Sequence, residues 1–340
     1  MRILVTGGVG FIGSHVVDLL IENGQEVFVV DNLSSGVLEN LDNRAVFYHI
    51  DLGDYDKIRE IFEKGKFDIV YHLAAQIDVR KSVEEPVEDA KINILNSLNL
   101  LELCVKFGVK KFIFSSSGGA IYGDIENLDN YVTSYPEFSN GQFGKTSNAI
   151  AQIVHNVKVP SIEEEKEKPI SPYGVSKLTV EKYLHFYNKI YGLNFVSLRY
   201  SNVYGPGQNS KGEAGVIAIF FDRMLDNKKP IIFGGEQTRD FVYVGDVARA
   251  NLIALEKGEG IFNVGTGVET DIISLFYKMN KFFGNKFEPE FREKKKGEQL
   301  RSCLNCEKIF RELEWKAEVE LDGGLEKTYE WFREVCKIEE

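Results

Sequence analysis

Thr6-Gly7-Gly8-Val9-Gly10-Phe11-Ile12-Gly13-Ser14-His15 follows the short run Arg2-Ile3-Leu4-Val5, close to the start of a 340-residue chain. The run reads as a buried β-strand. The spacing of Phe11, Ile12, Val16, Leu19 and Leu20 after it reads as a helix. Gly7, Gly10 and Gly13 therefore fall on a strand-to-helix turn. Without side chains, such a turn lets a pyrophosphate reach backbone N–H groups and the positive end of the helix dipole. The spacing is G-x-x-G-x-x-G, one residue wider than G-x-G-x-x-G. With its strand, its helix and an acid downstream, the stretch predicts a dinucleotide site formed by Gly7, Gly10, Phe11, Ile12 and Gly13.

The acid is Asp31, at the end of a second strand, Glu26-Val27-Phe28-Val29-Val30. A carboxylate there accepts hydrogen bonds from ribose hydroxyls and repels a 2′-phosphate. Asn32-Leu33-Ser34 offers no arginine to receive one, so NAD is favoured over NADP; the plainer reading is an aspartate opening a turn. Asp51-Leu52 and Leu73-Ala74-Ala75-Gln76 close two further strands, 46–50 and 67–73. Ligands of doubly wound sheets bind at such carboxyl ends. Asp51 is placed to meet the adenine amine, and the small Ala74 and Ala75 let a cofactor lie close.

With 43% hydrophobic residues, the chain can bury one large core and a smaller lobe. The net charge of −11, with no basic cluster longer than Lys294-Lys295-Lys296, argues against nucleic acid as a partner. No stretch reaches the roughly 18 apolar residues of a membrane span, and the first strand leaves no room for a signal peptide. Of the cysteines, Cys303 and Cys306 form one Cys-x-x-Cys without a second pair or a nearby histidine, which reads as chance spacing and no metal site. A reducing cytoplasmic location is expected.

Helices are predicted over 54–64, 87–107 and 172–191, the last with Ser171 as N-cap and Pro172 in its first turn. Strands are predicted over 111–114 and 195–199, the first running into Ser115-Ser116-Ser117-Gly118-Gly119. The fold class is α/β: a doubly wound parallel sheet over 1–175, continued by 172–202 and a segment near 231–264. A smaller C-terminal lobe is expected from about 203–230 and 265–340, with an insertion at 124–157.

Tyr173 and Lys177 stand one helical turn apart on one face. A tyrosine with its ordinary pKa near 10 is a poor base at neutral pH; an adjacent ammonium and a positive nicotinamide favour the phenolate. The serine hydroxyls at the carboxyl end of strand 111–114 are expected to face the same crevice and to bond a substrate alcohol and the Tyr173 oxygen. Alone, each feature is a routine helix or turn; their position after a dinucleotide-binding half gives them weight.

Here the chain resembles the extended short-chain dehydrogenase/reductases, and among them the UDP-hexose 4-epimerases. The resemblance runs through Thr6–Gly13, Asp31–Gly36, His72–Gln76, Ser115–Ser117, Ser171–Lys177, Arg199–Gly205, Arg239–Val244, Phe262–Gly267 and Glu330–Phe332, in the family's order. It implies NAD as cofactor, held by the glycine turn, Asp31, Asn32, Ser35, Gly36, Asp51, Leu52, Leu73, Ala74, Ala75, Gln76 and Asn93 together with Tyr173 and Lys177. It implies Ser117, Tyr173 and Lys177 as catalytic residues. For a UDP-sugar it implies Ser117, Tyr173, Asn202, Val216, Ile231, Phe233, Arg239, Lys295 and Ser302. Two departures stand out. Lys295-Lys296-Gly297-Glu298 replaces Arg-x-Gly-Asp, so the phosphate contact loses its guanidinium fork, and the segment between Tyr122 and Tyr173 is much longer than usual.

The resemblance thus implies a UDP-sugar 4-epimerase working through a transient 4-keto sugar. The alternatives are another sugar-nucleotide enzyme of this fold, such as a dehydratase, decarboxylase or reductase, or a non-catalytic NAD-binding sensor. Gly118 and Gly119 stand where a dehydratase needs acids and a decarboxylase a glutamate. Three further expectations follow. Apolar residues around helix 87–107, and Val180, Leu184, Tyr187 and Tyr191 on helix 172–191, form the faces of a homodimer. The 124–157 segment emerges beside the substrate cleft. Ser302 resembles the position bordering the sugar's C2 substituent, where a small residue admits an N-acetyl group.

Overall fold

Alternation with a period of two makes the sheet. Ile3 and Val5 point to one face and Leu4 to the other, and all three are fully buried. The computed structural model describes residues 1–123, 160–210, 215–294 and 299–338. Its central sheet joins β1 (Arg2–Thr6), β2 (Glu26–Asp31), β3 (Val46–His49), β4 (Ile69–His72), β5 (Lys111–Ser117) and β6 (Asn194–Tyr200). After β7 (Asn202–Tyr204), β8 (Ile231–Phe233) and β9 (Thr238–Tyr243), the strand β10 (Gly260–Val264) returns to the sheet. The order is β10-β6-β5-β4-β1-β2-β3, every pair parallel. Strand order therefore reverses at β1 and β4, which puts a ligand crevice between their carboxyl ends.

Helices cover both faces. α1 (Phe11–Glu22) packs on the face of Ile3 and Val5. α2 (Tyr55–Gly65), capped by Asp54, lies on the face of Leu4. After α3 (Val79–Glu84), the predicted helix 87–107 is built in pieces: α4 (Pro86–Ala90), a π turn at Lys91–Leu95 and α5 (Asn96–Phe107). After the four-residue α6 (Gly118–Ile121) comes α7 (Pro172–Tyr191). The Ser171 hydroxyl accepts from the Gly174 N–H at 3.1 Å to cap it, and Gly192, at φ +69°, ends it.

Val180 and Leu184 do not form an outward face of α7, as the sequence suggested; both are fully buried against the sheet, as are Leu101 and Leu103 of α5. The row Lys177, Val180, Glu181, Leu184 turns inward because it follows the helical repeat from the buried Lys177. What α7 turns outward is Val175, Tyr183, Phe186 and Ile190, all exposed.

A third apolar cluster lies beyond the sheet, around Tyr204, Phe241 and the helices α8 (Val216–Leu225), α10 (Ile272–Asn280) and α12 (Leu321–Ile338). The helices between these are α9 (Val244–Glu256), on the main sheet, and α11 (Glu307–Leu313). β7 pairs with β9, β9 with β11 (Glu269–Asp271), and β8 with β12 (Glu290–Arg292). The buried Asp240 draws this part together: its carboxylate accepts from the Thr266 N–H and hydroxyl and from the N–H groups of Gly267 and Leu304. Lys295 and the 124–157 insertion lie outside the described residues.

Candidate active site

The turn between β1 and α1 is closed so tightly that side chains have no room. Gly7 has φ +73°, and a Cβ there would stand 2.6 Å from the Ala74 nitrogen. A Cβ on Gly13 would stand 2.0 Å from the Gly7 carbonyl oxygen. The N–H groups of Leu73 and Ala74 both donate to the Thr6 carbonyl, folding the end of β4 over the turn. At Gly10, the N-cap of α1, no side chain caps the helix, and its first turn holds no acid. The N–H groups of Phe11, Ile12 and Gly13 have no helical acceptor of their own, so the turn suits an anion such as a pyrophosphate.

Asp31 closes β2, its carboxylate accepting from the Leu33 N–H at 2.9 Å. Asn32 donates to Asp51 at 2.6 Å, and Asp51 also accepts from the Gly53 N–H, so both side chains stand together along the sheet edge near β3. Ser35 and Gly36 follow in the loop, where a Cβ on Gly36 would meet Val9 at 2.7 Å. Leu52, Ala75 and Gln76 are half-buried. Asn93 sits in the π turn, accepting from the Gln76 N–H and donating to the Gln76 carbonyl, both at 2.9 Å. These residues fit the binding of NAD.

Below the crevice lies a neutral histidine. His72 Nδ1 accepts from the Thr6 hydroxyl and Nε2 donates to the Ser97 hydroxyl, each at 2.8 Å, because the Ser97 hydroxyl itself donates to the Asn93 carbonyl. Burial holds the ring's pKa down at about 3, and Lys177 adds to that. The chain of bonds ties the glycine turn to the π turn.

Tyr173 and Lys177 face this crevice from α7. The Lys177 ammonium donates to the Ser115 carbonyl at 2.7 Å and stands 4.8 Å from the Phe114 ring centre and 5.8 Å from that of Tyr173. Burial pulls its pKa down to about 8, against the opposing pull of Asp89 and Glu181. Burial pushes the Tyr173 phenol up to about 12; a hydrogen bond with Ser117 draws it back, and the Asp89 charge raises it further. The sequence points to a phenolate favoured by Lys177 together with a positive nicotinamide; at the phenol itself, desolvation outweighs the Ser117 hydrogen bond.

Only one of the three serines closing β5 has the expected partner. Ser116 points to the other side of the sheet, donating to Glu181 at 2.7 Å, as a strand's alternation requires. Glu181 was not singled out from sequence. Fully buried, it also receives Ser197 and the guanidinium of Arg199, itself fully buried, at 2.6 Å, pinning α7 to β5 and β6. Asp89 was missed as well. The signals were helical spacings: Asp89 stands four residues before Asn93, and Glu181 four after Lys177.

On the far side of the crevice, a Cβ built on Gly119 would lie 3.9 Å from both Asn202 Oδ1 and Ser302 Oγ, so these three residues border one space. Gly118 has no such room, since its Cβ would meet Leu304 at 2.6 Å. Val216 starts α8, Ile231 and Phe233 are half-buried ends of β8, and Arg239, on β9, donates to the Thr238 carbonyl at 2.8 Å. Arg301, next to Ser302, is paired with Glu269.

Residues 3–265 match the model of the NAD dependent epimerase/dehydratase family. The chain belongs to this family. Among its relatives, the UDP-glucose 4-epimerase of Mycolicibacterium smegmatis is 37% identical, over 98% of this chain and 99% of that protein. The crystal structure of a UDP-glucose 4-epimerase from Thermotoga maritima, with UDP-glucose, superposes with a TM-score of 0.88 at 48% identity, covering 99% of this chain and all of that one. A Thermus thermophilus UDP-glucose 4-epimerase in complex with NAD gives 0.84 at 39%, covering 98% and 99%. The family member described here is an NAD-dependent epimerase of the UDP-glucose 4-epimerase kind, built on a Rossmann sheet. No helix among the described residues is long and apolar enough to cross a membrane.

Proposed function

We propose that this protein interconverts UDP-glucose and UDP-galactose, and also UDP-GlcNAc and UDP-GalNAc, through a transient 4-keto sugar. One observation carries the reading: beside the Tyr173–Ser117 hydrogen bond, the positions where a further acid would stand are Gly118, closed by Leu304, and Gly119, which has no side chain. A phenol that takes and returns one proton is enough for epimerisation. Loss of water from C5 and C6 needs additional proton donors there.

Held by the glycine turn, Asp31 and Asn93, NAD would supply the hydride acceptor for C4 and a positive charge near the phenol. Tyr173 takes the proton of the 4-hydroxyl, Ser117 holds that hydroxyl, and Lys177 lends its charge from beneath. Asn202, Val216, Ile231, Phe233, Arg239 and Lys295 are assigned to the UDP moiety, the Arg239 guanidinium being suited to a diphosphate. Ser302, small and beside Gly119, leaves space for an N-acetyl group at C2. The segments near 203–230 and 265–340 are read as the substrate lobe.

The purified protein, given each UDP-sugar without added NAD and followed by NMR, should interconvert the 4-epimers with no net oxidation. Accumulation of a dehydrated or decarboxylated product, or a need for stoichiometric cofactor, would reject the reading. We infer a homodimer as well, through the exposed Val83, Val87, Val175, Phe186 and Ile190 of the neighbouring α3, α4 and α7.

A further inference from the structure

Asp89 lies on α4, 1% exposed, and its carboxylate accepts three hydrogen bonds. Gln76 and Asn93 donate to Oδ1 at 3.1 and 2.9 Å, and the Ser176 hydroxyl donates to Oδ2 at 2.6 Å. All three donors are neutral. A buried carboxylate is expensive, and Glu181, two turns further into the helix packing, answers its cost with Arg199. Among the described residues Asp89 has no ion-pair partner of that kind. The cation nearest in the sequence of contacts is Lys177, the residue following Ser176.

We propose that Asp89 is a positioning residue: its carboxylate ties the first turns of α7 to the wall made by Gln76 and Asn93, and keeps a negative charge beside Tyr173 and Lys177. The inference rests on the reading of Tyr173 as the base. The two effects of that charge are separable. It favours the ammonium of Lys177 against burial, so the cation is present at neutral pH. It also disfavours the phenolate of Tyr173, so the phenol keeps its proton until positive charge arrives in the crevice. Both directions agree with the influences acting on the two groups.

On α7 the titratable neighbours are Tyr173, Lys177 and Glu181, the last paired with Arg199. From α3, the Ser82 hydroxyl accepts the Tyr173 backbone N–H at 3.2 Å. From β4, His72 is neutral, bonded to Thr6 and Ser97. From the loop after β4 and the π turn, the amides of Gln76 and Asn93 donate to Asp89, and Asp78 caps α3 beside Gln76. Among the described residues, the Asp89 carboxylate thus has three neutral donors and no ion pair.

Asp89→Asn tests this with little change of shape. Its oxygen can still accept from Gln76 and Asn93, and its amide can donate to the Ser176 hydroxyl, which then donates back along its own helix. The ionisation of Tyr173 is read from tyrosinate absorbance as the difference from the matching Tyr173→Phe protein, with and without NAD. In Asp89→Asn it should move to lower pH by about one unit, the size expected of one charge a few ångströms away in a poorly screened site. The acid limb of kcat should move the same way, with KM little changed. An unmoved Tyr173 ionisation in folded Asp89→Asn overturns the electrostatic role.

Ser176→Ala keeps the charge and cuts the tether. It should leave the ionisation of Tyr173 in place and lower kcat about tenfold; an unchanged kcat overturns the positioning role, whether or not the asparagine variant folds. The tyrosinate titration needs no substrate. A shifted ionisation in a protein that epimerises no UDP-sugar would thus reject the proposed reaction and leave the assignment of Asp89 standing.

Discussion

At the scale of single residues, the site is governed by what burial does to charge. Tyr173 and Lys177 are both displaced toward their neutral forms, the phenol up to about 12 and the ammonium down to about 8, because desolvation disfavours each charge. Tyr173→Phe should therefore keep NAD bound and lower turnover by about 10²–10⁴-fold, measured at saturating UDP-glucose. Lys177 makes a prediction on stability. Its pKa in the native protein lies below the ordinary 10.5, so between about pH 8 and 10.5 the unfolded chain binds the extra proton. In that window NAD-free wild type should gain stability relative to Lys177→Met as pH rises, by on the order of a few kcal/mol. Chemical unfolding at a series of pH values checks this; a difference that stays flat or falls would show that the ammonium is not desolvated. Ser302 carries the specificity prediction. Wild type should turn over UDP-GlcNAc, and Ser302→Tyr should lose that activity while keeping UDP-glucose, compared as kcat/KM.

At the scale of elements, the glycine turn and α7 do different work. The turn brings β1, α1 and β4 to a contact that leaves no room for a methyl group at Gly13, where a Cβ would sit 2.0 Å from a backbone oxygen that cannot swing aside. Gly13→Ala should cost at or above ~1–3 kcal/mol in stability and lose NAD on purification, read from the thermal midpoint and the absorbance of released cofactor. The turn was legible from spacing alone, since strand, glycines and helix follow one another in the chain. α7 was legible in extent, from Ser171 and Pro172 to Gly192, but not in orientation. A periodic pattern says that a helix has an apolar face; it does not say whether Val180 and Leu184 meet the sheet of their own subunit or another copy. Burial of Lys177 and Glu181 on the same row decides it, and both are charged residues that a hydrophobic pattern discounts. The π turn at Lys91–Leu95 was equally hidden, because one extra residue in a turn leaves no mark on composition.

At the scale of the whole molecule, the exposed apolar residues of α3, α4 and α7 form the surface from which the proposed dimer follows. Phe186→Asp combined with Ile190→Asp should give a monomer by analytical ultracentrifugation, since a buried unpaired carboxylate in each copy would face its twin. Wild type at micromolar concentration should sediment as a dimer of a 38.6 kDa chain. A monomeric wild type would remove the interface.

What the sequence by itself determined was whatever is carried by neighbours along the chain. This includes the glycine turn, the acid closing β2, the alternation of strand and helix that makes a parallel sheet, and the Tyr173–Lys177 pair one turn apart. Local backbone preference and periodicity are enough for these. The resemblance pointed to Ser117, but only the tertiary structure gives the physical reason, since it sends Ser116 to the other face of the sheet, where it meets Glu181. It also decided that Asp89, Gln76, Asn93 and Ser176 converge, and that Gly119, Asn202 and Ser302 border one space. Those residues come from segments up to about 180 positions apart, and their chemistry arises from distances and desolvation that no local pattern encodes.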